Sequence, residues 1–113
     1  MTKTSQDVTN EALRMIGVLA VDESANADDH ARCKTHFEAI YAELDDTDLA
    51  ALEWTIETVP DRLFLHAARA VAGSVCTAYG LAELSGLYDA GLRGLKRGEF
   101  DRELREPTRA VFF

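Results

Sequence analysis

Aromatic side chains make up only 8% of the 113 residues, and the chain has just two prolines and two cysteines. So few aromatics imply a core built of aliphatic side chains and alanine. Two prolines exclude a proline-rich spacer. Cys33 and Cys76 stand far apart without framework spacing, which excludes a disulfide scaffold and reads as reduced, intracellular-type thiols. No run approaches the roughly 18 to 20 apolar residues of a membrane-spanning helix. The opening stretch, MTKTSQDVTNEALRMIGVLAV, holds no signal-peptide core. Positive charge is scarce too: 12 basic against 20 acidic side chains give a net −8. A duplex-DNA binder draws affinity from neutralising phosphates and carries a basic face, so tight DNA binding is not the expected main task.

What is present is globular material for one domain, 47% hydrophobic and 28% charged. The charge is divided. Residues 1–57 hold 13 acids and 4 bases, whereas residues 58–113 hold 7 acids and 8 bases. An acidic front and a weakly basic rear can complement one another between copies of the chain; the plainer reading is solvated surface.

The periodicity predicts four helices. Thr4 and Asp7 have capping-box spacing, and Val8, Ala12, Met15, Ile16 and Leu19 follow at helical intervals, with Gly17 as the stop. Asn26 is a cap for a second helix whose stripe runs through Ala27, Cys33, Phe37, Ile40, Tyr41 and Leu44 and ends near Asp45 and Asp46. Residues 47–59 read as an extended connector that tucks Trp54, Ile56 and Val59 into the core, too short and isolated to make a sheet alone. Pro60 suits the first position of a third helix, which carries Leu63, Phe64, Ala67, Val71 and Val75. Its many alanines make it narrow and central, and Gly80 closes it. A fourth helix runs from about Leu81 to Lys96 with Leu84, Leu87, Tyr88, Leu92 and Leu95 as its stripe. Gly86, Gly91 and Gly94 weaken it, so it is expected to need tertiary or quaternary packing. The expected core is Val8, Met15, Ile16, Phe37, Ile40, Leu44, Trp54, Leu63, Phe64, Ala67, Val71 and Val75.

Catalytic and metal motifs are weak. His30, Cys33 and His36, with Asp29 alongside, are zinc-type ligands, but on a helix the advance from His30 to His36 is about 240° around the axis, so they share no edge, and structural or surface histidines are the favoured reading. Asp45, Asp46 and Asp48 lack the glycine and further oxygen ligand of a calcium loop. Ser74 has His66 two turns back, which is not a triad. No phosphate-binding glycine loop occurs. No metal and no cofactor is expected, and the chain reads as a non-enzyme.

Residues 4–22 run T-x-x-D-V-T-N-E-A-L-R-M-I-G-V-L-A-V-D. The stretch Ser24-Ala-Asn-Ala-Asp-Asp29 follows, then a tryptophan in a short link, V-P-D at 59–61, and an alanine-rich helix ending A-Y-G-L at 78–81. This succession resembles the small phage head–tail adaptor (connector) proteins, of phage or gene-transfer-agent type, over roughly residues 4–81. The resemblance implies a ring, typically of twelve subunits, beneath the portal protein at the capsid vertex of the virion. Such a ring extends the DNA channel, lets DNA pass without specific binding, and offers the surface on which a stopper or tail-terminator protein docks. It would be made in the bacterial host cytoplasm.

The expected architecture is therefore all-α: a bundle of about four helices with an extended Trp-containing link and a C-terminal docking tail. Residues 1–97 form the helical adaptor domain and residues 98–113 the tail. The expected interface residues are Arg93, Lys96, Arg97, Arg102, Arg105, Arg109, Val111, Phe112 and Phe113. The alternatives are a cytosolic helical interaction or regulatory module, and a helical metalloprotein using His30, Cys33 and His36.

Overall fold

The computed structural model describes residues 2–45 and 52–105, with residues 99–105 by backbone alone. Four helices carry the chain: α1 (Ser5–Met15), α2 (Ala27–Asp45), α3 (Asp61–Val75) and α4 (Gly86–Arg105). The class is all-α, a four-helix bundle. Two-residue strands β1 (Thr2–Lys3) and β2 (Val59–Pro60) add one antiparallel clip, with Thr2 opposite Pro60 and Lys3 opposite Val59. The connector thus does pair, contrary to expectation, because the N-terminus supplies the second strand.

The helix ends follow local chemistry. Thr4 Oγ1 accepts from the Asp7 amide at 3.2 Å, and the Asp7 carboxylate accepts from the Thr4 amide at 3.0 Å, a reciprocal capping box. At the far end of α1, Gly17 sits at φ +79°. This left-handed turn lets Val18 N–H reach the Leu13 carbonyl at 2.9 Å and Gly17 N–H reach Arg14 at 3.1 Å. Asn26 Oδ1 accepts from the Asp29 amide at 2.8 Å and starts α2. Pro60 is the cap of α3 and not its first residue, so the helix starts at Asp61, one residue later than expected. A 3₁₀ turn, Cys76–Tyr79, extends α3, and Gly80 at φ +76° ends it.

The link between α2 and α3 is pinned by Trp54, which is buried. Its ring meets Tyr41 edge-on at 5.1 Å, and the Tyr41 hydroxyl donates to the Trp54 carbonyl. Thr58 N–H closes a turn on the Thr55 carbonyl at 3.0 Å. That turn breaks the alternation and leaves Ile56 half-buried, while Val59 is fully inside.

Most of the expected core is buried, from Val8 and Ile16 through Phe37, Ile40, Leu44, Leu63, Ala67, Val71 and Val75. Met15 and Phe64 are only half-buried; Phe64 lies under the Lys3 ammonium, 5.5 Å from the ring centre. Leu13, Ala70, Ala72, Leu92 and Leu95 complete the interior.

The fourth helix departs furthest from expectation. A short 3₁₀ turn, Ala82–Leu84, precedes it, and it runs from Gly86 to Arg105, about 30 Å, well past Lys96 and into the stretch expected to be tail. Its glycines are not simply weak points. A methyl group on Gly91 would stand 2.5 Å from the His66 carbonyl oxygen and 2.8 Å from Ala70 Cα. One on Gly98 would meet Leu63 Cδ2 at 2.5 Å, and one on Gly73 of α3 would meet Tyr88 Cα at 2.7 Å. Glycine from both helices therefore brings the α3 and α4 backbones together. The support that α4 needs comes from α3 of the same chain.

A polar tie joins α1 to the link. The Glu57 carboxylate accepts from the Ser5 amide at 3.0 Å and from the buried Ser5 hydroxyl at 2.6 Å, with Lys34 at 3.8 Å. These two bonds, then Lys34 and His30, hold Glu57 below the usual carboxylate range. The folded state therefore binds the Glu57 proton more weakly than the unfolded chain. The tie is at full strength above the unfolded value of about 4.3 and fades as pH falls through the lower folded value. Ser5→Ala is expected to cost about 1 kcal/mol at neutral pH, since Glu57 is half-exposed. Urea titrations should show this difference shrinking below pH ~4. A pH-independent difference would mean that the hydroxyl acts without Glu57.

Candidate functional site

The described residues form a cleft of about 370 Å³ where α2, α3 and the start of α4 meet. One face of α2 supplies His36, Ala39, Ile40 and Glu43 at helical spacing. Gly73 and Ser74 come from α3, and Ser85 and Tyr88 from the turn into α4. Close approach of Gly73 to Tyr88 sets the width of the cleft. His36 Nδ1 and Ser74 Oγ lie 2.6 Å apart, and the Tyr88 hydroxyl donates to Glu43 at 2.9 Å. Burial, then the Glu43 carboxylate, raises the Tyr88 phenol above its ordinary range.

A serine beside a histidine has the first two parts of a nucleophile and its base. Two things are missing among the described residues. No carboxylate hydrogen-bonds the His36 ring, so nothing orients it. Ser74 also lies inside α3, where neighbouring amides are taken up by helix hydrogen bonds and are not free to hold an oxyanion. The pair ties α2 to α3. Sequence reasoning considered Ser74 with His66 and missed His36, because a contact between helices 38 residues apart leaves no local spacing to read.

The helix also separates the three zinc-type residues. His30 Nδ1 faces Thr9 of α1 at 3.3 Å, and His36 faces α3. Cys33 points into the core between them, where burial, then Asp29, pushes its thiol up to about 11. Among the described residues no three His, Cys, Asp or Glu side chains gather where a metal ion would fit. Asp45 ends α2, whereas Asp46 and Asp48 lie outside the described residues.

Of the expected interface residues, Arg93, Lys96 and Arg97 are exposed on α4. Arg102 and Arg105 lie on the last turns of that helix. Arg109, Val111, Phe112 and Phe113 lie outside the described residues. The fold adds polar side chains that the sequence reading did not place at the α3–α4 seam. Arg62, His66 and Arg69 sit on α3 within an alanine-rich segment taken for core, yet they line the seam with α4. The Arg62 guanidinium reaches the Gly98 carbonyl at 3.5 Å, and Arg69 lies 3.3 Å from His66 Nδ1. Arginine can only donate, so His66 accepts on Nδ1 and is neutral with its proton on Nε2. Burial, then Arg69 and Arg97, depresses its pKa. Three other cations are paired: Arg14 with Glu11, Arg32 with Asp29 and Lys34 with Glu57. Arg62, Arg69, Arg93 and Arg97 have no carboxylate within ion-pair distance among the described residues.

No described helix is long and apolar enough to cross a membrane. Comparison with family models, with curated proteins and with solved structures finds no match to the chain.

Proposed function

We propose that the chain is a structural head–tail adaptor (connector) subunit of a tailed phage-like particle. It forms a ring beneath the portal protein, extends the DNA channel and joins the capsid to a stopper or tail-terminator protein, without catalysis or a cofactor. One observation carries this reading: each phrase of the resemblance falls on a joint of a single fold. A-L-R-M-I-G-V is the end of α1 and its Gly17 turn. Asn26, in S-A-N-A-D-D, caps α2. The Trp54 link and V-P-D deliver the chain into α3. In A-Y-G-L, Tyr79 donates to Asp29 at 2.7 Å and receives Arg32 at 3.2 Å, fastening the end of α3 to the start of α2. The net charge of −8 also suits a channel through which DNA slides without sticking.

The test is made in the particle whose genome encodes the chain. Without the chain, DNA-filled heads that carry portal but no tail should accumulate, and supplying it should restore complete particles. A chain ending at residue 106 should keep its helical circular dichroism but fail to join portal-bearing heads. Normal yields of infectious particles without the chain would overturn the reading. So would a chain that stays monomeric or dimeric and has no affinity for the portal, the behaviour of a cytosolic interaction module.

A further inference from the structure

Two large apolar side chains stand out as exposed among the described residues, Val21 at 86% and Leu65 at 47%. Each sits inside a charge cluster, and the clusters are opposite in sign. Val21 precedes Asp22 and Glu23 on the loop between α1 and α2. Leu65 shares one face of α3 with Arg62, three residues before it, and Arg69, four after it; Asp61, four before it, leaves that face with a net positive charge.

The loop that carries Val21 is braced. Arg14 donates to the Ala20 carbonyl at 3.4 Å and to the Glu23 carbonyl at 3.0 Å. The Glu23 carboxylate accepts from the Ala20 amide at 2.8 Å, and Glu23 N–H closes on the Ala20 carbonyl at 3.1 Å. Four hydrogen bonds thus fix the turn 20–23 with Val21 on the outside and Asp22 exposed beside it. A lone exposed valine needs no explanation, but a valine held out on a fixed turn has lost in advance the freedom that docking removes.

We propose that the turn at Val21 and Asp22 of one copy docks onto Leu65, between Arg62 and Arg69, of a second copy. The apolar pair would be the anchor and the arginines would meet Asp22, for which their forked donors suit a carboxylate better than lysine does. A second copy is favoured over nucleic acid because the chain carries −8 overall, and phosphate would be repelled by the rest of its surface. Donor and acceptor surfaces differ, so the contact is head-to-tail, and repetition closes a ring or runs on as a filament. The inference rests on the ring reading above and names the contact that would build it.

The test uses purified full-length chain and two blocked variants, Arg62→Gln with Arg69→Gln, and Val21→Ser with Asp22→Asn. Sedimentation of the unaltered chain should show self-association that weakens in high salt. Each variant alone should be monomeric, with its helical circular dichroism retained. Mixed together, they should form a one-to-one heterodimer that grows no further, because one intact contact remains. The proposal is overturned if the unaltered chain stays monomeric in low salt, if either variant assembles as it does, or if the mixture stays monomeric. It is overturned equally if the arginine variant loses only an affinity for duplex DNA. Failure of tail joining with this association intact would strike the adaptor reading alone.

Discussion

Gly91→Ala is expected to destabilise the chain by about 1–3 kcal/mol, whereas Gly86→Ala is expected to be neutral or to gain up to about 1 kcal/mol. Both positions are helical glycines in the same element, and propensity alone predicts a gain at each. The surroundings separate them. Nothing lies within 4 Å of a methyl group on Gly86. On Gly91 the methyl would meet the main chain of α3 at His66 and Ala70, which cannot swing aside as a side chain would. The helices must then part along their length, loosening Leu92 and Leu95 against the core. Thermal unfolding of the pair decides the matter. Equal stabilisation by both alanines would show that α4 does not lie against α3 at this point.

Phe37→Ala should have the largest effect of any single truncation, about 3–5 kcal/mol. Phe37 is the largest of the fully buried side chains, at 1% exposed. It stands mid-helix on the stripe with Cys33, Ile40 and Leu44, and α2 meets both α1 and α3. Removing the ring loses its transfer energy and leaves a cavity that three helices cannot jointly close. Glu38→Ala, one position along on the exposed side, should change stability by less than about 0.5 kcal/mol. Urea unfolding should show a lower midpoint and an unchanged slope for Phe37→Ala. A near-neutral result would remove Phe37 from the core.

The helix starts and stops were legible because each is set within a few residues, by Thr4 with Asp7, by Asn26, and by the two left-handed glycines. The α2 and α3 stripes were legible because burial repeats with the helical period. The reading failed where an outcome depends on distant parts of the chain. Strand pairing at Val59 needed Lys3. Gly91 and Gly94 looked like flaws in α4 until α3 lay against them. Nothing local to Arg62, His66 and Arg69 shows that they flank the seam between α3 and α4. His36 read as a structural or surface histidine, but only the fold shows that its partner is Ser74. Within one helix, spacing shows which residues share a face; only packing shows what that face meets.

The burial of Cys33 and Cys76 gives the molecule an internal clock for its own opening. Alkylation requires an accessible thiolate. Both sulfurs are fully enclosed, one on α2 and one just beyond α3, and Cys33 is further suppressed by its raised pKa. In the folded chain each thiol should therefore react only during the moments when its surroundings part, at a rate proportional to the population of open molecules. Matching protection at the two sites would mark the bundle as one cooperative unit. Faster reaction of Cys76 alone in Gly91→Ala would show the α3–α4 half breathing independently of α1 and α2.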